Sequence, residues 1–428
     1  MFKEGLLDSI LRSIKRYIPR QLFAMGAKIY HPTLAWTGAW FYRFPSRTLV
    51  VIGVTGTKGK STTVAMIARI LEGAGHSVAA LGSLGYQIRD RRWPNLLKMT
   101  MPGRWKLQKF LREAVDAGCT HVVLEVPSEG LAQGRHLGVR FDCAVITNLH
   151  PEHHEAHGSF DQYKNAKGTL FSVTKHLHVI NADDPAAHYF ASFPAEKKLF
   201  FGIEGGELRA SALDVHEDRS SFAIYGTRFE LQIGGLFNIY NALAALSVAA
   251  MYGIDLPTAR PLLESMTEVP GRLQWIQKKP FGVVVDYAHT PDSLRAVYET
   301  LRPHALRLIG VLGAAGGGRD KWKREKFGAI ADELCDEIFL TNEDPYDEDP
   351  EQILDEVAGG IGQSSHKKIH RIMDRGEAIA RALTEAQEGD IVVITGKGSE
   401  PVMAVAGGRK IPWSDAEEAR KAIHEISN

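Results

Sequence analysis

The sequence predicts an α/β protein with two doubly wound parallel sheets behind a short helical segment, on three observations. Short apolar, β-branched runs alternate with amphipathic helical patterns from Thr48 onward. The first run, Leu49–Val54, ends in a glycine-rich turn and a helix start, V-V-I-G-V-T-G-T-K-G-K-S-T-T over 50–63. After Val269-Pro270-Gly271 the alternation starts afresh. The implied division is a helical segment at 1–47, a central P-loop ATPase-like domain at 48–270 and a C-terminal Rossmann-like α/β domain at 271–428.

Taken in order, residues 5–18 place Leu7, Ile10, Leu11, Ile14 and Ile18 on one helical face, and Leu34–Phe44 is unusually aromatic. The two stretches fit a helix pair docked on the body of the protein, with an interfacial membrane anchor as the alternative. The helix after the glycine turn puts Val64, Ile67, Ala68 and Leu71 on one face and closes at Gly73 and Gly75. Further strands fit Ser77–Leu81, His121–Val126, Cys143–Thr147 and a run ending at Asn181, with helices at Trp105–Ala117 and Asn238–Tyr252. Residues 208–233 alternate in short segments, which suggests a small antiparallel appendage. In the second series, strands fit Val283–Asp286, Leu308–Leu312, Ile338–Thr341 and Ile391–Thr395. The acid-rich stretch Thr341–Pro350 reads as a loop directly after a strand, where open α/β sheets gather ligands.

Composition narrows the class. Lys+Arg and Asp+Glu both number 51, so no global field draws in nucleic acid or an anionic surface. Cys119, Cys143 and Cys335 are widely spaced and odd in number, which suits buried thiols in a reducing cytoplasm better than a disulfide framework or a zinc site. No apolar run is long enough to span a bilayer, and charges interrupt every apolar stretch of the N-terminus.

The glycine turn carries the clearest chemistry. A strand, a glycine loop, Lys60-Ser61 and a helix together hold nucleotide phosphates. Backbone N–H groups and the helix N-terminus meet the negative charge, Lys60 reaches the terminal phosphates, and the Ser61 hydroxyl takes Mg²⁺. The spacing is non-standard, because Val54 stands where the first glycine belongs and Gly53 lies one position earlier. Three groups follow strands. Glu125, in E-V-P-S-E, ends an apolar run and needs a cation or metal partner. The stretch 147–158 holds four histidines and two glutamates in a spacing that is neither H-E-x-x-H nor a zinc pattern. The run Y-K-N-A-K-G-T-L over 163–170 offers a lysine to line the site.

In order and spacing, these blocks resemble the Mur ligase superfamily, the ATP-dependent amide-forming ligases of peptidoglycan precursor synthesis, and are most similar to its MurE branch. The likeness spans about 48–400 and includes G-V-T-G-T-K-G-K-S-T-T (53–63), L-E-V-P-S-E-G-L (124–131), F-D-C-A-V-I-T-N-L (141–149), N-A-K-G-T-L-F (165–171) and N-A-D-D-P (181–185). It continues in F-N-I-Y-N-A-L-A-A (237–245), V-D-Y-A-H-T-P-D (285–292), G-G-R-D-K-W-K-R (317–324) and I-T-G-K-G-S-E (394–400). The resemblance implies an ATP loop of Thr55, Gly56, Thr57, Lys58, Gly59, Lys60, Ser61 and Thr62. It also implies magnesium ligation by Ser61, Glu125, His153 and a carbamylated Lys167. Asn238 and Asn241 would lie near the adenine, Arg272 would meet the γ-phosphate and Asp286 the ribose. The catalytic set would be Lys60, Glu125, His153, Lys167 and Arg272. Thr100, Ser128 and Arg135 match positions that hold the acceptor, and Arg319, Asp344, Tyr346, Gly396 and Glu400 match positions around the incoming amino acid.

The reaction so implied joins the terminal carboxylate of UDP-MurNAc-L-Ala-D-Glu to a diamino acid, L-lysine or meso-diaminopimelate, through an acyl phosphate. Domain closure would assemble the site and exclude water. ATP and Mg²⁺ are the expected cofactors, a monomer the expected state, the cytoplasm the expected location, and residues 1–44 a possible weak membrane contact. Four departures stand out. Only 47 residues precede the first strand, where the family carries a domain that grips UDP. S-S-H reads Pro127-Ser128-Glu129, while D-H-x-D reads Glu152-His153-His154-Glu155, and a Thr-Thr motif shrinks to Thr100-Met101-Pro102. The selectivity motif D-N-P-R reads Glu343-Asp344-Pro345-Tyr346, without the arginine that clamps a distal carboxylate, and so favours lysine or another basic amino acid. Ligases of cyanophycin-, pseudomurein- or polyglutamate-type polymers and a non-catalytic nucleotide-binding protein are the competing readings.

Overall fold

The computed structural model describes residues 20–150, 158–318, 320–362 and 365–427. The proposed helix at 5–18, His153 with its neighbours Glu152, His154 and Glu155, and Arg319 lie outside the described residues. Two compact units form. The first takes Met1–Leu213, Ser221–Phe229 and Phe237–Ser265, and the second Asp214–Ser220, Glu230–Leu236 and Met266–Asn428.

The first unit is built on a nine-stranded sheet. In chain order its strands are β1 (Val50–Thr55), β2 (Val78–Gly82), β3 (Gly85–Ile88), β4 (Arg91–Trp93), β5 (His121–Glu125), β6 (Cys143–Ile146), β7 (Leu177–Asn181), β8 (Lys197–Gly202) and β9 (Leu208–Arg209). Their spatial order is β4-β3-β2-β5-β1-β6-β7-β8-β9. Every pairing is parallel except those of β3 with β2 and β4. That antiparallel corner is absent from the sequence reading because its turn, Arg89-Asp90, lacks the usual glycine or asparagine, and Arg89 itself takes φ 51°.

Strand β1 lies between β5 and β6, with Val54 opposite Glu125 and Thr55 opposite Ile146. The carboxyl ends of three neighbouring strands therefore open on one place. Apolar residues of β1 and β5 are buried on both faces, as a central parallel strand requires. Helices pack closely on this sheet: a Cβ on Gly53 would come within 3.0 Å of Phe141 and Leu170. The helices that position the site are α1 (Arg20–Phe41), α2 (Lys60–Gly73), α3 (Arg104–Asp116), α4 (Phe160–Val173) and α5 (Leu236–Met251). Among the described residues no helix is long and apolar enough to cross a membrane. Val64, Ile67, Ala68 and Leu71 of α2 are buried, as their spacing requires. Strands β10 (Ser211–Val215), β11 (Ser220–Ile224) and β12 (Thr227–Leu231) form a separate three-stranded sheet.

The second unit holds β13 (Gln274–Gln277), β14 (Gly282–Asp286), β15 (Leu308–Leu312), β16 (Glu337–Leu340), β17 (Lys368–Arg371) and β18 (Ile391–Thr395), in the order β13-β14-β18-β15-β16-β17. Only the edge strand β13 runs antiparallel. The chain visits β15, β16 and β17 before β18 returns beside β14, so Asp286 and Thr395 end as neighbours. Ligand crevices form at such a switch in strand order. Val283, Val285, Ile309, Val311, Phe339 and Ile394 share its core with Ile379 and Leu383 of α6 (Arg375–Glu385). The hairpin β19 (Val402–Val405) and β20 (Arg409–Pro412) and helix α7 (Asp415–Ser427) complete the unit. Arg375 on α6 and Asp415 on α7 form a bidentate ion pair at 2.7 and 2.8 Å, both side chains fully buried. A further bond from Arg375 reaches Thr395 O, which fixes the end of β18.

Candidate active site

The glycine loop joins β1 to the N-terminus of α2. Gly56 and Gly59 adopt φ 149° and 79°, and there is no room for side chains at either. A Cβ on Gly56 would sit 1.9 Å from Thr147 Oγ1, and one on Gly59 2.1 Å from Asn241 Oδ1. The residues after β6 brace the loop from outside. Thr57 N donates to Asn148 O at 2.9 Å and Lys58 N to Asn148 Oδ1 at 2.9 Å, while Thr147 Oγ1 donates to Lys58 O at 2.6 Å. Lys60, the first residue of α2, folds its ammonium onto Gly56 O and Thr57 O at 3.1 and 2.9 Å. The cation thus lies over the loop, beside the first N–H groups of the helix, where a phosphate chain would be met. The Thr55 hydroxyl is buried without a hydrogen-bond partner among the described residues.

Ser61 and Glu125 meet at the core of this site. Ser61 Oγ donates to Glu125 Oε2 at 3.0 Å, and both side chains are buried. Ser83, absent from the sequence reading, holds the carboxylate with its backbone N–H (2.8 Å) and hydroxyl (3.2 Å) and stands 3.1 Å from Thr100 Oγ1. A Cβ on Gly82 would approach Glu125 Oε2 to 2.6 Å. The carboxylate is therefore held in one orientation, presenting oxygen beside a hydroxyl oxygen. Oxygen donors of this kind fit a small hard cation such as Mg²⁺.

Lys167 on α4 is buried, donates to Gly56 O at 2.7 Å and stacks 4.4 Å above the Tyr163 ring. Tyr163 in turn places its hydroxyl 3.0 Å from Thr57 Oγ1. One helix turn thus presents both a lysine and a phenol to the loop. Asn241 accepts from Thr63 Oγ1 at 3.3 Å and donates to Asn238 Oδ1 at 3.1 Å, so the two asparagines of α5 lie against the start of α2. Thr62 is buried in the first turn of α2. Arg135 grips Gln133 Oε1 through Nη2 at 2.7 Å and reaches Met101 O through Nη1, and Ser128 is buried at the end of the segment after β5.

A separate cluster of charge sits in the second unit. The fully buried Lys397 donates to both oxygens of Asp344 at 3.0 Å, to Glu400 Oε2 at 2.6 Å and to Val402 O at 2.8 Å. Asp344 also accepts from Ala404 N at 2.7 Å, and Glu400 from Tyr287 OH at 3.4 Å. Beside them lies Glu343, whose carboxyl is pushed up to about 7 by burial and then by repulsion from Asp344. Its Oε2 would lie 2.4 Å from a Cβ on Gly396, which takes φ 109°. Tyr346 takes φ 53°, and its ring lies 3.3 Å from a Cβ placed on Gly317. At the end of β14, Asp286 Oδ2 accepts from Leu273 N at 2.6 Å, and the Arg272 guanidinium lies 4.4 Å above the Tyr287 ring. The loop Thr341–Pro350 follows β16 directly and is partly buried. Glu343 and Asp344 are buried, Glu348 binds Arg324 at 3.0 Å, and Asp349 caps the following helix. Lys397 is missed by sequence reasoning, although it lies inside I-T-G-K-G-S-E. The signal was a lysine between two glycines at a strand end, a place where exposed lysines gain nothing.

A phosphate loop with an ordered Ser–Glu pair and a lysine-bearing helix defines a P-loop ligase of the Mur class, and the chain belongs to that family. Residues 54–249 match the Mur ligase middle domain, and 271–398 match the Mur ligase, glutamate ligase domain. More particularly, the chain is 36% identical over 399 residues to the UDP-N-acetylmuramoyl-L-alanyl-D-glutamate–2,6-diaminopimelate ligase of Geobacillus thermodenitrificans strain NG80-2, covering 90% of this chain and 81% of that protein. It is 34% identical over 456 residues to the UDP-N-acetylmuramyl-tripeptide synthetase of Roseiflexus sp. strain RS-1, covering 96% and 89%. A solved diaminopimelate ligase of the same name as the first relative superposes with a TM-score of 0.64 at 32% identity, over 93% of this chain and 84% of that one.

Proposed function

We propose that the chain is a MurE-like, ADP-forming ligase that couples the terminal carboxylate of a UDP-MurNAc-L-Ala-D-Glu acceptor to a diamino acid on the cytoplasmic side of the membrane. The observation that carries this reading is the Ser61–Glu125 contact at 3.0 Å beside Lys60, at the head of α2. An acceptor carboxylate oxygen attacks the γ-phosphorus of ATP, the bond to the β-phosphate oxygen breaks, and ADP leaves. The amino acid's neutral amine then attacks the acyl carbon, and phosphate departs as the amide forms. Two anions must approach in the first step, so the Lys60 ammonium and the N–H groups of the α2 N-terminus have to lower their repulsion. Ser61 and Glu125 are the residues that would hold Mg²⁺, with His153 as a further candidate, and the ion would supply charge neutralisation between the phosphates. Lys167 is buried at the loop, in the position of the lysine that the family carbamylates. Ser128, Arg135 and Thr100 are assigned to the acceptor. Glu343, Asp344, Tyr346, Gly396, Glu400 and Arg319 are assigned to the amino acid.

The test is phosphate release from ATP over a matrix of acceptors and amino acids, with lysine, ornithine and diaminopimelate as the amines. Release should require both the UDP-muramoyl-dipeptide and a diamino acid, and should vanish in Lys60→Ala. Release with free acidic peptides, and none with the nucleotide-linked acceptor, moves the chain to another polymer. ATP binding without acceptor-dependent release removes the ligase reading altogether.

A further inference from the structure

Helix α1 has its apolar residues on the wrong side for a helix that serves only a core. Its buried face is made of small residues: Ala35 and Ala39 are fully buried, and Gly38 lets the Trp105 ring of α3 come within 3.3 Å of where a Cβ would stand. Its outward face carries the large rings. Trp40 is 73% exposed, Phe41 59%, Trp36 52% and Tyr30 48%. Phe41 extends this surface onto Trp105, itself exposed, with ring centroids 5.2 Å apart. Single exposed aromatics are ordinary, but Trp36, Trp40 and Phe41 exposed together on the last turns of one helix mark a contact surface.

The charge around the row says what it contacts. Residues 30–47 contain Arg43 and Arg47 and no aspartate or glutamate, in a chain whose acids and bases number 51 each. Arg43 and Arg47 are exposed at the helix's end, and Arg47 stacks 4.3 Å over Phe44. Tryptophan and tyrosine settle at the headgroup level of a bilayer, and neighbouring arginines draw the surface to anionic lipid. A protein partner would need acids facing these arginines and a socket for each indole, whereas a bilayer needs only the row and the charge. We infer that the exposed aromatic face of α1, with Trp105, docks the protein on an anionic lipid surface. The inference does not depend on the ligase reading, because none of these residues belongs to either candidate site.

The experiment is flotation of the full chain with vesicles of phosphatidylcholine alone and of phosphatidylcholine with phosphatidylglycerol at 7:3. Binding to the anionic vesicles is expected, with at least about a tenfold lower partition on neutral vesicles or at high salt. The triple variant Trp36→Ser, Trp40→Ser, Phe41→Ser should keep the wild-type melting temperature and lose about tenfold or more of the partition, while Trp40→Tyr should retain it. Arg43→Glu with Arg47→Glu should lose the anionic preference. No flotation on anionic vesicles overturns the inference, as does flotation of the triple variant equal to wild type. So does a protein dimer in ultracentrifugation that the triple variant dissolves while vesicles leave wild type unbound.

Discussion

Replacing Glu343 with glutamine removes a titration that the fold makes costly. Glu343 lies just beyond β16, among Asp344, Glu400, Lys397, Arg375 and the Tyr287 phenol. Burial, then repulsion from Asp344, raises its carboxyl from 4.5 to about 7, against the opposing pull of Arg375 and Lys397. The folded state therefore holds the proton more tightly than the unfolded chain does. The stabilisation is complete below pH 4.5 and is lost as pH rises through 7. At about 1.36 kcal/mol per unit the full penalty is on the order of 3 kcal/mol, most of which develops between pH 5 and pH 8. In a unit of this size that corresponds to about 5–10 °C in melting temperature. Glutamine has nearly the same shape and cannot ionise, so its own fixed cost cancels when each protein is compared with itself at the two pH values. Calorimetry at pH 5 and pH 8 should show the wild type falling by about 5–10 °C more than Glu343→Gln. Equal falls in the two proteins would refute the buried-acid argument, and a larger fall in the variant would reverse its sign.

Three further perturbations test other parts of the molecule. Gly59→Ala puts a Cβ 2.1 Å from Asn241 Oδ1 at a backbone φ of 79°, and should weaken ADP binding by about tenfold or more in titration calorimetry; unchanged affinity would mean that the loop can relax. Arg375→Ala leaves Asp415 charged and fully buried, and should cost about 3–5 kcal/mol in urea unfolding, whereas Arg375→Met with Asp415→Leu should recover most of that loss. Tyr346→Arg restores a guanidinium where a distal carboxylate would be met, and kcat/KM for diaminopimelate relative to lysine should rise by about tenfold or more; an unchanged ratio would take selectivity away from this position.

What the sequence made legible follows from how local each signal is. The β1–loop–α2 unit could be read almost residue by residue, because a buried strand, a glycine turn and an amphipathic helix each leave their mark within a dozen positions. Glu125 could be picked out as a charge that ends an apolar run, but Ser83, which orients it, could not. Ser83 lies 42 positions away and touches Glu125 only because β2 and β5 pair. Tyr163 and the Thr147-Asn148 brace were hidden for the same reason, since their work consists of contacts between distant segments. Small edge elements escaped as well. Strand β17, Lys-Ile-His-Arg, has a single apolar residue, and β13 runs against a sheet whose other strands are parallel. Acid-rich Thr341–Pro350 could be read as a loop after a strand but not as a buried one, because charged residues are rarely buried without partners, and those partners come from beyond the loop.

The same loop revises the argument about the amino acid. From sequence, the motif Glu343-Asp344-Pro345-Tyr346, without its arginine, favoured lysine or another basic amino acid. In the structure Asp344 is already satisfied, with both oxygens on Lys397 and one also on Ala404 N. Glu400 gives one oxygen to Lys397 and the other to Tyr287. Among the described residues around this cluster, three acids face one lysine, and Arg375 is already committed to Asp415. Glu343 is the one acid of the three with no cation hydrogen-bonded to its carboxylate among the described residues, and burial raises its carboxyl to about 7, so that near neutrality it is divided between protonated and ionised forms. A protonated Glu343 can donate to a carboxylate and an ionised one can pair with an ammonium, so the residue does not by itself choose between lysine and diaminopimelate. On the proposed assignment of Tyr346 to the amino acid, the choice would pass to the end of the substrate side chain, where a tyrosine stands in place of an arginine. A phenol there can donate one hydrogen bond but supplies no positive charge, which leaves a distal carboxylate without its bidentate partner and a distal ammonium without a repelling neighbour.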